Sequence, residues 1–386
     1  MKTSGTRMIR ALAVAALMVC TVMSGQGWAA KGPYKIGGIF SITGSSSFLG
    51  DPEKKSMEMA VEKINAAGGI DGHMLEPVIY DDEGDPTKAV LAANKLTSKD
   101  EVIAIVGPSL TPTTLAIIPV VEKTGVPLIS CAAGIKITEP VKPLVYKTAQ
   151  NDVLAVAAIY RHIKAANIKK IGIITVENAF GESGKEQLAA QAPKFGLQIL
   201  QAETFGAKDT DMTAQLAKIR AAQPEALVCW GTNPGPAVVA KNVVQMNMKI
   251  PLYQSHGVAS PKFIELAESA AEGILLPTGK ILVADQLPET DPQKTVLKGY
   301  ITEFEKRYSM PVSGFGGYAY DGINLLAAAL KGTEGDKKKI AENIGKIKGF
   351  VGVTGSFTFS PEDHNGLGPD AFVMVVIKDG KWQLLK

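Results

Sequence analysis

Short apolar runs alternate along this chain with longer segments whose apolar residues recur every three to four positions. The first run covers residues 35–42, a helical pattern follows over 51–67, a second run covers 75–81, and a second helical pattern covers 86–97. Start and stop signals bracket the helices. Asp51 and Pro52 open the first, Gly68 and Gly69 close it, and Asp85 and Pro86 open the next. A third run, 102–106, halts at Gly107 and Pro108. A hydroxyl-rich turn with Ser109, Thr111, Thr113 and Thr114 then leads into a helical pattern carrying Leu115, Ile118 and Val121. A fourth run, 126–130, ends in the small-residue loop Cys131, Ala132, Ala133, Gly134. Such alternation predicts βαβ units, hence an α/β fold whose mostly parallel sheet is covered on both faces.

After Tyr146 the alternation starts again. Helical patterns at 152–166, 181–194, 211–222 and 236–246 separate runs at 170–176, 197–204, 226–230 and 250–254. The chain therefore reads as two doubly wound units of similar size. Beyond Gly273 come an acid-bearing connection (285–292), helices over 293–308 and 315–331, a short basic helix, and strands at 356–360, 371–377 and 382–385.

Ligands of doubly wound sheets sit beyond the carboxyl ends of the strands. That rule puts 41–49, 107–114 and 131–136 on one rim, and 177–180, 231–235 and 255–259 on another. At the first rim two strand ends and a helix start converge. Unpaired N–H groups, the positive end of a helix dipole and the hydroxyls of Ser109 and Thr111 make it a site for a small organic carboxylate. The same hydroxyls also fit an ordinary helix cap formed by Ser109 or Thr111. Phe48 and Phe180 are flanked by turn residues on the rims, where each serves either as a wall for an apolar ligand or as a core plug.

The first 30 residues change the picture of location. Lys2, Arg7 and Arg10 precede an uncharged run of about 16 residues and a small-residue site at Gly27, Trp28, Ala29, which reads as a secretory signal peptide cleaved after Ala29 or Ala30. Such a run is short for a bilayer span, and Cys20 lacks the small preceding residue of a lipidation site. Removing residues 1–30 takes away three basic and no acidic residues, so 41 and 38 become 38 and 38. A chain without net charge is a poor partner for nucleic acid. With 46% hydrophobic and 20% charged residues it is an ordinary globule, long enough for about two domains. Cys131 and Cys229 end separate strands and are expected as free thiols.

Enzyme signatures are missing from the sequence. The four histidines are scattered, no nucleophile elbow, phosphate loop or dinucleotide fingerprint occurs, and Asp81, Asp82, Glu83 and Asp85 lack calcium-loop spacing. Neither a cofactor nor a metal is expected, and no catalytic residue can be named.

Several motifs resemble a known family: I-G-x-x-x-x-x-T-G at the first strand, A-V-x-x-I-N-A-A-G-G-I-x-G from Ala60 to Gly72, and Y-D-D at Tyr80. G-P-S-x-T at Gly107, N-x-F-G-x-x-G at Asn178, A-x-E-G at Ala270 and Y-D-G at Tyr320 extend the match. Together they are similar to type I periplasmic binding proteins, closest to the leucine/isoleucine/valine-binding receptors of ABC transporters. The resemblance implies two lobes joined by a three-strand hinge that close on a ligand, with 31–151 and 280–354 in the N-terminal lobe and 152–279 and 355–386 in the C-terminal lobe. It implies a monomeric receptor in the periplasm, handing its ligand to a membrane permease, or, with the same fold, a soluble sensor for a signalling partner.

Carried over residue by residue, the family's carboxylate-binding hydroxyl falls on Thr111. Its small-residue loop falls on Ala132, Ala133 and Gly134, its aromatic walls on Phe48 and Phe180, and a further loop position on Asn233. Where amino-acid receptors place an acid for the ligand ammonium, this chain has Ser255, His256, Gly257. A histidine cannot supply that anion. The resemblance with this departure implies a carboxylate ligand with an aromatic or other apolar body, as in the aromatic-acid branch that the S-H-G-V-A-S and L-P-x-x-D-P-Q-K segments resemble. A branched-chain or other apolar amino acid is the alternative, with Glu177 or Asp321 holding the ammonium.

Overall fold

A computed structural model describes residues 31–385; the expected signal peptide and Cys20 lie outside the described residues. The N-terminal sheet is wholly parallel. β1 (Tyr34–Phe40) feeds α1 (Ser47–Ala66), β2 (Leu75–Asp81) feeds α2 (Pro86–Ser98), and β3 (Ala104–Val106) feeds α3 (Thr111–Thr124), followed by β4 (Leu128–Ser130) and β5 (Val145–Lys147). Their order is β2-β1-β3-β4-β5, with β1 and β2 in register from Tyr34 beside Leu75 to Phe40 beside Asp81. Buried Ile36, Ile105, Leu128 and Ile129 explain why these short runs are strands: both faces are covered, so their side chains are apolar on both.

The second unit runs α4 (Asp152–Ala165), β6 (Lys170–Val176), α5 (Ala179–Gln191), β7 (Gln198–Phe205), α6 (Thr213–Ala221), β8 (Ala226–Trp230), α7 (Gly235–Gln245), β9 (Leu252–Gln254), α8 (Pro261–Ala267) and β10 (Leu275–Thr278). The chain then returns to the first unit through α9 (Lys294–Tyr308), α10 (Gly314–Leu330) and α11 (Lys337–Lys346), pairs β11 (Phe350–Val351) with β12 (Ser356–Phe357), and ends in β13 (Val373–Lys378) and β14 (Lys381–Leu384). The second sheet has the order β14-β13-β10-β9-β8-β6-β7. It is parallel except where β13 pairs antiparallel with β10 and β14. The two lobes expected from the alternation are present, with an antiparallel edge on the second.

Three details depart from the sequence expectations. Helix α1 begins at Ser47 rather than near Asp51, so the last third of the expected 41–49 rim lies in that helix. Its first turn packs onto the end of β1 so closely that a Cβ at Gly50 would lie 2.3 Å from the Ser41 carbonyl. The apolar stretches at 102–106 and 126–130 form only three-residue strands. The strand β5 was invisible in the sequence, because a lysine ends it and a neighbouring element rather than its own pattern buries that lysine.

Between β5 and α4 the chain passes from the first unit to the second at Gln150. Its amide donates to the carbonyls of Thr354 and Ala371, both at 3.1 Å, and Tyr318 Oη donates to its Oε1 at 3.1 Å. Buried Asp321 accepts the N–H groups of Val353 and Thr354 at 2.9 and 2.7 Å and so fixes the turn between β11 and β12. Phe357, Phe359, Leu367 and Ala371 pack in the core under the first sheet, whereas Phe372 packs in the second lobe.

Candidate functional site

The first rim is built by α3. Its N-cap is Leu110 (φ −114°, ψ 149°), whose side chain cannot accept a hydrogen bond. Neither Ser109 nor Thr111 caps the helix, so its first N–H groups keep their positive potential toward the cleft. Thr111 instead accepts the Gly134 N–H on Oγ1 at 3.1 Å. Its own O–H remains available to donate. Gly134 is a glycine for a steric reason, since a Cβ there would sit 2.4 Å from Thr111 Cγ2.

The loop between them offers one more donor. Ala132 N–H goes to Ser130 Oγ at 3.1 Å, while the Ala133 N–H has no partner among the described residues. Ser109 is buried beside them but its hydroxyl is occupied: it donates to Glu53 and accepts the Ser41 N–H at 3.0 Å. Burial pushes the Glu53 carboxyl well above the usual carboxylate range.

The second rim presents an aromatic box. His256 follows Ser255, which accepts the Gly257 N–H and turns the chain. The imidazole lies edge-on to Phe180 (5.7 Å between centroids), Trp230 (5.7 Å) and Phe372 (5.3 Å). It is 2% exposed, and neither ring nitrogen has a hydrogen-bond partner. Burial, and secondarily the Lys147 charge, push its pKa down to about 3. His256 is therefore a neutral imidazole with one donor and one acceptor to give a ligand. Phe180 is held by Asn178, whose Oδ1 accepts the N–H groups of Phe180 and Gly181, both at 3.0 Å.

A narrow cavity separates these rims, lined from the first lobe by Ser109, Thr111, Ala133, Phe315 and Tyr318 and from the second by Asn178, Phe180, Thr232 and His256. No acidic residue is among its lining residues. The carboxylates considered from the sequence lie elsewhere: Asp321 clamps Val353 and Thr354, and Glu177 accepts Thr204 Oγ1 at 2.6 Å on an outer surface. The lobes touch across the cleft. Ile135 N–H donates to Ser183 Oγ at 3.3 Å, and Lys136 pairs with Glu186 at 2.7 Å.

Of the residues singled out from sequence, Ser109, Thr111, Ala133, Phe180 and His256 line this one cavity. Ala132 and Gly134 shape its loop from behind. Phe48 packs edge-on against Phe315 at 5.6 Å and lines a neighbouring cavity with Met310 and Pro311 instead. Asn233 is buried with both side-chain polar atoms unpartnered, one residue beyond the lining Thr232. Phe315 and Tyr318 escaped the sequence reading because they begin α10 inside a continuous apolar pattern. Trp230 and Phe372 escaped it as strand or strand-entry residues. Cys131 and Cys229 are free and buried. Asp85 caps α2 through the N–H groups of Thr87 and Lys88, and the described residues contain no cluster of metal-ligating side chains.

The sequence profile of the periplasmic binding protein family matches residues 33–381. The leucine-, isoleucine-, valine-, threonine- and alanine-binding protein of Pseudomonas aeruginosa is 27% identical over 82% of this chain and 83% of its own length. An extracellular ligand-binding receptor from Rhodopseudomonas palustris has a similar structure, with TM-score 0.86 and 29% identity over 92% of this chain and all (100%) of that one. A branched-chain amino acid transporter substrate binding protein from Streptococcus pneumoniae, solved with isoleucine, gives TM-score 0.81 and 27% identity over 92% and 99% of the two chains.

Proposed function

The chain belongs to the periplasmic binding protein family, and from that premise we propose that it is the extracytoplasmic receptor of an ABC importer, capturing a small carboxylate with an aromatic or other apolar body. The observation that carries this reading is the pairing of the two rims. One offers an anion the Thr111 hydroxyl, the Ala133 N–H and a helix N-terminus; the other offers an apolar box with one neutral, unsatisfied imidazole and no carboxylate. An ammonium group buried there has no counter-ion in the wall, and desolvating an unpaired charge is costly. Capture proceeds by closure of the lobes about the connections between them, the mode of motion known for such binding proteins.

With this reading goes a division of the chain. We place 31–151 and 280–354 in the first lobe and 152–279 in the second; residues 356–371, assigned above to the second lobe, pack in the first core, which supports a last crossover close to Phe372. The closed receptor, a monomer in the periplasm after loss of residues 1–30, would hand its ligand to the membrane permease. The names of the relatives carry a second reading, an apolar amino acid as ligand.

One experiment separates the two. Residues 31–386, unfolded and refolded to remove carried-over ligand, are screened by thermal shift against leucine, valine, benzoate and cinnamate. A ligand at about 100 times its dissociation constant adds about 2.7 kcal/mol of stability. Stabilisation by the aromatic acids supports the proposal; stabilisation by leucine or valine alone replaces it with the second reading.

A further inference from the structure

Lys147, at the end of β5, is fully buried, and its ammonium makes no salt bridge to any carboxylate of the described residues. Its side-chain hydrogen bond goes to the Ala133 carbonyl. That carbonyl belongs to the peptide unit whose other end is the Gly134 N–H, and the Gly134 N–H donates to Thr111 Oγ1. Thr111 in turn lines the cavity with its O–H unspent. A continuous chain thus runs from the ammonium through one peptide group and one hydroxyl to the place where a ligand oxygen would sit. A cation on the carbonyl polarises the peptide N–H, which makes the hydroxyl beyond it a stronger donor; in a buried, weakly screened setting the effects along such a chain reinforce one another.

We propose that Lys147 is the positioning charge of the carboxylate site, acting on the ligand through the Ala133–Gly134 peptide and the Thr111 hydroxyl without touching it. The inference rests on the carboxylate reading above and adds to it the source of the positive potential. A carboxylate arriving at Thr111 supplies the anion that the buried ammonium lacks at close range. The charged and titratable groups that face Lys147 are Asp152 at the start of α4, Glu139 beyond the small-residue loop, Asp363 in the C-terminal turn and the neutral His256. Asp152 is spent on Ser183, with one carboxylate oxygen left unpartnered. Burial lowers the lysine pKa and raises that of Asp152. A lysine so lowered loses its proton at a pH where ordinary lysines keep theirs, so the assistance it gives is present at neutral pH and is lost as pH rises.

The test uses paired probes, benzoate and benzamide, and leucine and leucinamide, measured by calorimetry on the refolded protein. In the wild type the acid of the pair that binds is preferred over its amide. Lys147→Met is expected to cut the affinity for the acid by about tenfold or more while leaving the amide within about twofold, and Lys147→Arg is expected to restore the preference. Equal binding of acid and amide by the wild type would overturn the carboxylate reading itself. An acid preference that survives Lys147→Met, or acid and amide weakened equally, would overturn the role of Lys147 alone. If Lys147→Met does not fold, the wild type decides: between about pH 7 and pH 10 the ratio of acid to amide affinity falls if Lys147 supplies the charge, and a flat ratio overturns the proposal.

Discussion

The two walls of the cavity are made of different materials. The first-lobe wall sets hydroxyls and backbone beside the rings of Phe315 and Tyr318: Thr111 and Ala133 present donors whose positions are set by Gly134, Ser130 and Lys147 behind them. The second-lobe wall is rings: Phe180 lines the cavity beside the His256 imidazole, which has no polar partner and is backed by Trp230 and Phe372. A wall of fixed N–H and O–H groups reads charge and geometry, and tolerates many ligand bodies. A wall of rings reads size and shape, and admits one polar contact. On our reading, general recognition of a carboxylate belongs to the first lobe and choice among carboxylates to the second.

Substitutions that strike one wall and spare the other would break or sharpen this division. The largest effect is expected from Thr111→Val, which removes the ligand donor and strands the Gly134 N–H. Affinity for every carboxylate ligand should fall by roughly a hundredfold, and unfolding stability by about 1–3 kcal/mol, the cost of a buried donor left unpaired. Calorimetric titration with several acids checks it, since a loss confined to one acid would move specificity to the first wall. Gly134→Ser comes next. The new Cβ would press on Thr111, so acid binding should weaken about tenfold or more, with the ranking among acids unchanged.

His256→Phe should do the opposite: the ranking of ligands changes while a bare apolar acid still binds. The same variant carries a pH signature. His256 in the folded protein has its pKa lowered to about 3, below that of an unfolded histidine, so the unfolded chain takes up the proton first and stability is lost as pH falls from about 6.5 toward 3. Removing the imidazole should flatten that part of the stability curve by up to a few kcal/mol, measured by urea unfolding across the range. Asp321, raised to about 6 by burial, and Asp152, raised likewise, act with the opposite sign and remain in both proteins. The smallest effect belongs to Lys136→Ala. Its bridge to Glu186 crosses the cleft but both partners are half exposed. A change of at most about 1 kcal/mol in binding, fading with salt, is expected.

Much of the first wall was legible in the sequence because its chemistry is local. A strand end, a hydroxyl turn, a helix start and a small-residue loop are contiguous patterns, and the side-chain types alone imply donors. Even there the choice between ligand group and helix cap could not be made, since capping depends on which residue takes extended backbone angles at the helix start; that residue is Leu110. The second wall was legible only at Phe180 and His256, the two residues outside core patterns. Trp230 and Phe372 wear the pattern of strand and core residues, and nothing along the chain distinguishes a ring that backs the His256 imidazole from one that only fills the core.

By itself the sequence determined the two α/β lobes, the parallel sheets and the rims at their strand ends, because apolar periodicity and turn residues act over a few neighbours. It also marked the departure at His256. Only the tertiary structure decided that His256 is neutral and unsatisfied, that Phe48 backs the site instead of lining it, and that Lys147 stands behind the Ala133 carbonyl. Those facts depend on burial and on contacts between residues far apart in the chain, and desolvation, which sets the charge of a histidine or a lysine, is a property of the folded surroundings and not of the residue.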